Sequence, residues 1–247
     1  MKTLRIYILL LLGFINGLFA QNDQTAMDDI NRIALRPMLM YSPELTESNR
    51  LLLRNKLAQM ASYNGLAATG SESRFVLAAK AVVINKSIIE GAPPMFAYTM
   101  EISFFVVDNI EHKVFSQYTF AKKGVGNSEA KAMSSVFKQI QPTDARLSGF
   151  IKKGKEAILG YYNANCDIII EKATALIEKN EVEKGLDMLL DIPPVNRECY
   201  DKSMAMVREI SSKHPDYSQK IDQSDDQVSL NANDVSEDDG TLDWIGR

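Results

Sequence analysis

Two glycines set two apart and followed by polar residues, Gly124-Val125-Gly126-Asn127-Ser128-Glu129, form the stretch best suited to hold an anion. Glycine admits backbone angles closed to other residues, Asn127 or Ser128 can cap a following helix, and Glu129 suits the positive end of its dipole. Because amides at a helix N-terminus are a common seat for phosphate, Gly124, Gly126, Asn127 and Ser128 make a candidate anion-binding turn. The spacing is neither a complete G-x-G-x-x-G nor a Walker sequence, and a tight strand-to-helix connection is the simpler reading. No H-E-x-x-H, C-x-x-C, G-x-S-x-G or calcium-loop pattern occurs; His112 falls in an expected hairpin turn and His214 beside a helix-ending proline. The sequence thus nominates no catalytic residue, no metal ligands and no cofactor.

Cys166 and Cys199 are the only cysteines. In an exported chain an even count favours a disulfide, here worth roughly 3 to 4 kcal/mol in the chain-entropy picture, with two free buried thiols as the alternative. If the two open successive helical pairs, axes roughly 8 to 10 Å apart would be wide for a bond. At the far end, Leu242, Trp244 and Ile245 set the sole tryptophan between aliphatic residues. They close an acidic stretch, 216–247, in which nine acidic residues face Lys220 and Arg247. Such a composition buries too little to offset ordering, so a disordered tail is expected. Its apolar end is either loosely packed or a motif that docks in a groove on a partner or on the body.

The elements that would position these residues come from hydrophobic period. Residues 33–40 suggest a short strand, with Pro37 restricting it to a sheet edge. Thr46 reads as the N-cap of a helix carrying Leu53, Leu57 and Met60, which Asn64-Gly65 ends. Residues 74–84 are almost wholly apolar, and Phe96, Tyr98, Met100, Ile102, Phe104 and Val106 alternate along a second strand. A third strand from Val114 to Phe120 feeds the glycine turn, and Met133, Val136, Phe137 and Ile140 then recur at helical spacing. This predicts an α+β domain over 33–142, with a largely antiparallel sheet and helices on one face. Beyond it, 143–215 reads as a C-terminal helical module: a helix to Tyr162, a break at Asn163-Ala164-Asn165, and three further helices stopped at Asn180, Pro193 and His214-Pro215.

Residues 1–20 place Lys2 and Arg5 before an apolar run and end on Leu18-Phe19-Ala20, the layout of a secretory signal peptide, and 21–32 is a polar leader. No later segment has the roughly 20 apolar residues of a membrane span, so the mature chain is expected to be exported, periplasmic or extracellular, without a transmembrane span. Losing Lys2 and Arg5 leaves 26 of 28 basic residues against 32 acidic, a net −6, of which the tail carries −7. A near-neutral body has no basic stripe for nucleic acid.

Ala173-x-x-Leu176-x-x-x-Asn180-x-x-Glu183-x-Gly185-Leu186-x-x-Leu189, followed by Pro193, resembles one tetratricopeptide repeat, with Gly185 where the family usually has alanine. Residues 33–140, through Arg74-Phe75-Val76-Leu77, Phe104-Phe105-Val106-Val107-Asp108 and the 124–130 turn, are similar to the α/β domain of curli-secretion lipoproteins and penicillin-binding-protein activators. The chain also resembles exported Bacteroidetes proteins of unknown function. It lacks the lipid-bearing cysteine of the lipoprotein group, so anchoring and pore formation are not implied. These resemblances imply a non-catalytic interaction or assembly protein of the bacterial cell envelope whose partners are envelope proteins. The alternatives are a hydrolase or anion-binding enzyme sited at Gly124 to Glu129, or a structural protein of a phage or mobile element.

Overall fold

A computed structural model describes residues 33–68 and 73–213, together with Leu242, Trp244 and Ile245. The expected signal peptide and leader, and the rest of the acidic tail, lie outside the described residues. In order the elements are β1 (Leu35–Leu39), α1 (Glu47–Tyr63), β2 (Phe75–Ile89), β3 (Met95–Asp108), β4 (Lys113–Gly126), α2 (Glu129–Lys138), α3 (Ala145–Glu178), α4 (Val182–Leu190) and α5 (Arg197–Lys213).

The four strands form one sheet in the order β1-β2-β3-β4. Two hairpins make β2, β3 and β4 antiparallel, but β1 runs parallel to β2, with Leu35 opposite Phe75 and Pro37 opposite Leu77. The sheet is therefore mixed, which corrects the expectation of a largely antiparallel one. The reason lies in the connection: α1 intervenes between β1 and β2, and a helical crossover returns the chain in the same direction. Pro37 costs nothing there, because an edge strand has an unpaired side.

Alternation along β2 and β3 sorts their side chains onto two faces. Phe75, Leu77, Ala79 and Ala81 of β2 and Tyr98, Met100, Ile102, Phe104 and Val106 of β3 join a core with α1, α2 and the first half of α3. Val76, Ala78, Phe105 and Val107 point the other way, where no helix among the described residues covers them, and form a separate apolar cluster with Met38 and Met40.

Helix α3 runs unbroken for 34 residues, against the expected break at Asn163-Ala164-Asn165. Asparagine costs a helix only about 0.7 kcal/mol, and contacts on both sides override it. Before the asparagines, Phe150, Ile158 and Tyr162 pack on the sheet; after them, Ile170 and Ala173 pack with α4 and α5. Asn165 donates to the Tyr161 carbonyl at 2.8 Å, and Asn163 accepts from Asn196, before α5, at 2.5 Å. The expected helical module is thus the second half of α3, a short α4 and α5, and its likeness to a tetratricopeptide repeat rests on the sequence pattern alone. Asn180, at φ 65°, turns α3 into α4. A Cβ on Gly185 would lie 2.6 Å from Ile177 Cγ1, so the absent alanine methyl is what lets α4 close on α3.

Candidate functional site

The glycine turn is built for packing. Gly124 and Gly126 end β4, and neither has the left-handed backbone that the sequence suggested, since Gly65 is the glycine with positive φ among the described residues. A Cβ on Gly124 would sit 2.2 Å from the Ala132 carbonyl oxygen, and one on Gly126 would sit 2.5 Å from the Ala132 nitrogen. Both glycines let β4 approach the backbone of α2. Asn127 is exposed, while Ser128 caps α2 by accepting from the Lys131 amide at 3.3 Å. Glu129 already occupies the positive end of the helix, ion-paired with Lys86, whose ammonium lies 5.5 Å from the Tyr98 ring centroid. Lys86 first, and Tyr98 second, hold the Glu129 carboxyl below its ordinary range. An anion arriving here would meet a carboxylate and an amide already bonded.

At the opposite end of β3 sits a polar cluster that sequence reasoning missed. Asp108 is fully buried, and its Oδ2 accepts from the Tyr162 hydroxyl and from Arg74 Nε, each at 2.7 Å. Its Oδ1 accepts from the amides of Ile110 and Glu111, both at 3.0 Å, which shapes the β3–β4 turn. The available signal was an aspartate closing the wholly apolar run Phe104 to Val107, a place where a charge needs partners. Beside it a cleft of about 250 Å³ opens between the sheet and α3–α4, lined among others by Arg74, Glu111, Lys184, Asp187 and Asp191. Burial raises the Asp191 carboxyl and Arg74 opposes that rise. Two cations and three acids suit water or a small group of mixed charge, and no group placed to hold a metal ion occurs among the described residues.

Cys166, midway along α3, is bonded to Cys199 in the first turn of α5, with Cα atoms 5.7 Å apart. They approach more closely than neighbouring helix axes because the start of α5 is drawn onto α3. Asn196 caps α5 through the Cys199 amide at 3.0 Å while donating to Asn163, and Lys202 pairs with Asp167 at 2.6 Å.

The end of the chain lies on the helix-free face of the sheet. Leu242 and Ile245 are 3% and 7% exposed against Met38, Met40, Val76, Ala78, Phe105 and Val107. The Ile245 amide donates to the Leu242 carbonyl at 3.1 Å, a turn that sends both side chains the same way. Trp244, half-buried, lies over the His112 ring at 5.2 Å between centroids. His112 thus stands in the hairpin turn, as expected, but against the tail.

At the other end of the β2–β3 hairpin β3 is covered, with Ala97 and Tyr98 buried, but the last part of β2 is exposed. Helix cover on β2 stops near Val83, a register shift follows between Val83 and Asn85, and Ile84 and Ile88 beyond it are 56% and 61% exposed. Val82 and Ile89 are exposed beside them. No helix among the described residues is long and apolar enough to cross a membrane.

No protein-family model and no curated protein matches this chain. Among solved structures, it is similar to the PelC dodecamer from Paraburkholderia phytofirmans, at 16% identity over 51% of this chain and 88% of that one, with a TM-score of 0.32. A minor lipoprotein from Acinetobacter baumannii matches at 14% identity over 50% of this chain and 92% of its own, with a TM-score of 0.27. A Xanthomonas campestris protein of the DUF330 family matches at 18% identity over 56% and 81%, with a TM-score of 0.29. Likenesses of this size assign neither a family nor a function.

Proposed function

We propose that this is an exported protein of a bacterial cell envelope, periplasmic or extracellular, that works by holding other envelope proteins and uses the exposed last part of β2 as its contact surface. The observation that carries this is the exposure of Ile84, Ile88 and Ile89 together with Val82 along that part of the strand. Single exposed apolar residues are ordinary, but four large ones along one stretch of strand, Ile88 on one face and Val82 and Ile89 on the other, favour a partner that wraps that stretch. Export is supported by the signal-like composition of residues 1–20 and by the Cys166–Cys199 bond, since disulfides persist chiefly in oxidising compartments.

The test is a photo-crosslinking residue placed at Ile88 in intact cells, with the same residue at exposed Leu51 of α1 as control. A discrete protein adduct from position 88, absent from position 51 and lost when Ile89→Asp is added, is the expected result. Equal labelling from both positions, or none from position 88, refutes the contact surface. Recovery of the protein only from the cytosol refutes export.

A further inference from the structure

We propose that the helix-free face of the sheet is a recognition site for short peptide segments of the pattern aliphatic-x-Trp-aliphatic, and that Leu242, Trp244 and Ile245 are its resident, displaceable ligand. The site lies at the opposite end of β2 from the exposed stretch, and the inference does not depend on that surface.

The seat is built without the tail. Met38 and Met40 belong to β1 and the residue after it, Val76 and Ala78 to β2, and Phe105 and Val107 to β3. Backbone ladders join these strands, and their other face is fixed by α1, α2 and α3. Removing the tail would therefore leave a preformed apolar patch rather than a collapsed core, which is the condition for binding without a large ordering cost. The ligand, by contrast, is local. Its backbone makes one tight turn, two aliphatic side chains enter the seat, and the tryptophan covers His112 at the rim. None of these contacts requires that the segment belong to the same molecule.

Residues 214–241 separate the motif from the end of α5, so covalent connection keeps the resident ligand near the seat whether or not it is seated. Such a connection gives a high effective concentration, which an incoming segment must exceed, so access is graded by the competitor's affinity. Charge favours the same class of ligand. Lys80 is exposed on the face that carries Val76 and Ala78, and the motif is flanked by Asp238, Asp239 and Asp243. The occupant that fits is a segment of a protein partner with a tryptophan between aliphatic residues and acidic neighbours.

The probe is a fluorescein-labelled peptide of residues 239–247, followed by anisotropy against three full-length proteins. The first is the natural chain, the second carries Leu242→Ser, Trp244→Ser and Ile245→Ser, and the third adds Ala78→Asp to the second. Saturable binding to the second protein, at least tenfold weaker to the natural chain and lost in the third, is expected. A peptide with Trp244→Ala and Ile245→Asp should fail on the second protein, which keeps the test valid if Ala78→Asp impairs folding. No saturable binding to the second protein, or equal binding to the first two, overturns the proposal. Self-association of the natural chain that disappears in the second protein, seen by sedimentation velocity, would overturn the assignment of the resident ligand to the same molecule.

Discussion

A carboxylate removed from water needs donors, and Asp108 has four: the Tyr162 hydroxyl, Arg74 Nε, and the Ile110 and Glu111 amides. The two side-chain donors do not contribute alike. Arg74 is itself 11% exposed, so deleting the carboxylate leaves a nearly buried cation with only the longer 3.7 Å ion pair to Glu111. Asp108→Ala should cost about 3 to 5 kcal/mol in urea unfolding, the range for breaking a buried pair from one side. Tyr162→Phe leaves the pair intact and removes one bond to a charged acceptor, about 1.5 to 3 kcal/mol. Equal losses in the two variants would mean that the carboxylate contributes through the phenol of α3 and not through its ion pair with Arg74. Burial pushes the Tyr162 hydroxyl well above the ordinary tyrosine range, with Asp108 adding to the rise and Arg74 opposing it, so the phenol remains a donor throughout this comparison.

At the level of elements, α3 begins where Asp144 accepts from the Arg146 amide at 2.9 Å and pairs with its guanidinium at 2.7 Å. The Arg146 side chain first, and its amide second, hold the Asp144 carboxyl down at about 2. A carboxylate depressed in the folded chain contributes stability that is present above its unfolded value near 4 and is lost as pH falls toward 2. The gap between the natural chain and Asp144→Ala in melting curves should therefore narrow steadily from pH 5 to pH 2; a gap at pH 2 as wide as at pH 5 would refute the assignment. In the sequence this cap shows only as the boundary between the α+β domain and the helical module at 142–143. The strands were more legible, because alternation in Phe96 to Val106 directly encodes a buried face. Pro37 likewise marked an edge. The glycines at 124 and 126 were legible as special but not as to why, because a turn that needs positive φ and a strand that needs a missing Cβ use the same residue. The continuity of α3 through Asn163 and Asn165 was hidden for a different reason. Its anchors, Tyr162 on Asp108 and Cys166 on Cys199, are remote in sequence. The tail motif could be recognised by its residue types, whereas its seat required knowing that Val76 and Phe105 face away from the helices.

For the molecule as a whole, α3 is the member common to two hydrophobic clusters. Leu147, Phe150, Ile151, Ile158 and Tyr162 belong to the sheet core, Ile170 and Ala173 to the helical module, and Ile169 touches both. The two clusters meet near residue 164, inside a helix, so they are coupled through hydrogen-bonded backbone. Two further links are Val195 of the α4–α5 connection, buried in the sheet core, and the mixed-charge cleft where Arg74 and Glu111 face Lys184, Asp187 and Asp191 of α4 and its end. A rigid helical connection predicts that both parts unfold together, and Ala164 is the place to test it. Its side chain is exposed, so replacement acts on the backbone and not on packing. Ala164→Pro removes one helical hydrogen bond and clashes with the preceding turn, about 3 kcal/mol or more in a helix interior. Cys166–Cys199 keeps the lower half of α3 tied to α5, so the module should survive as a unit while losing its register with the sheet. The natural chain should show one transition by far-ultraviolet circular dichroism. Ala164→Pro should show two, the lower of which shifts further when the disulfide is reduced. A single transition in the variant, displaced by less than about 1 kcal/mol, would mean that the two clusters are joined by contacts across the cleft rather than by the helix that runs through both.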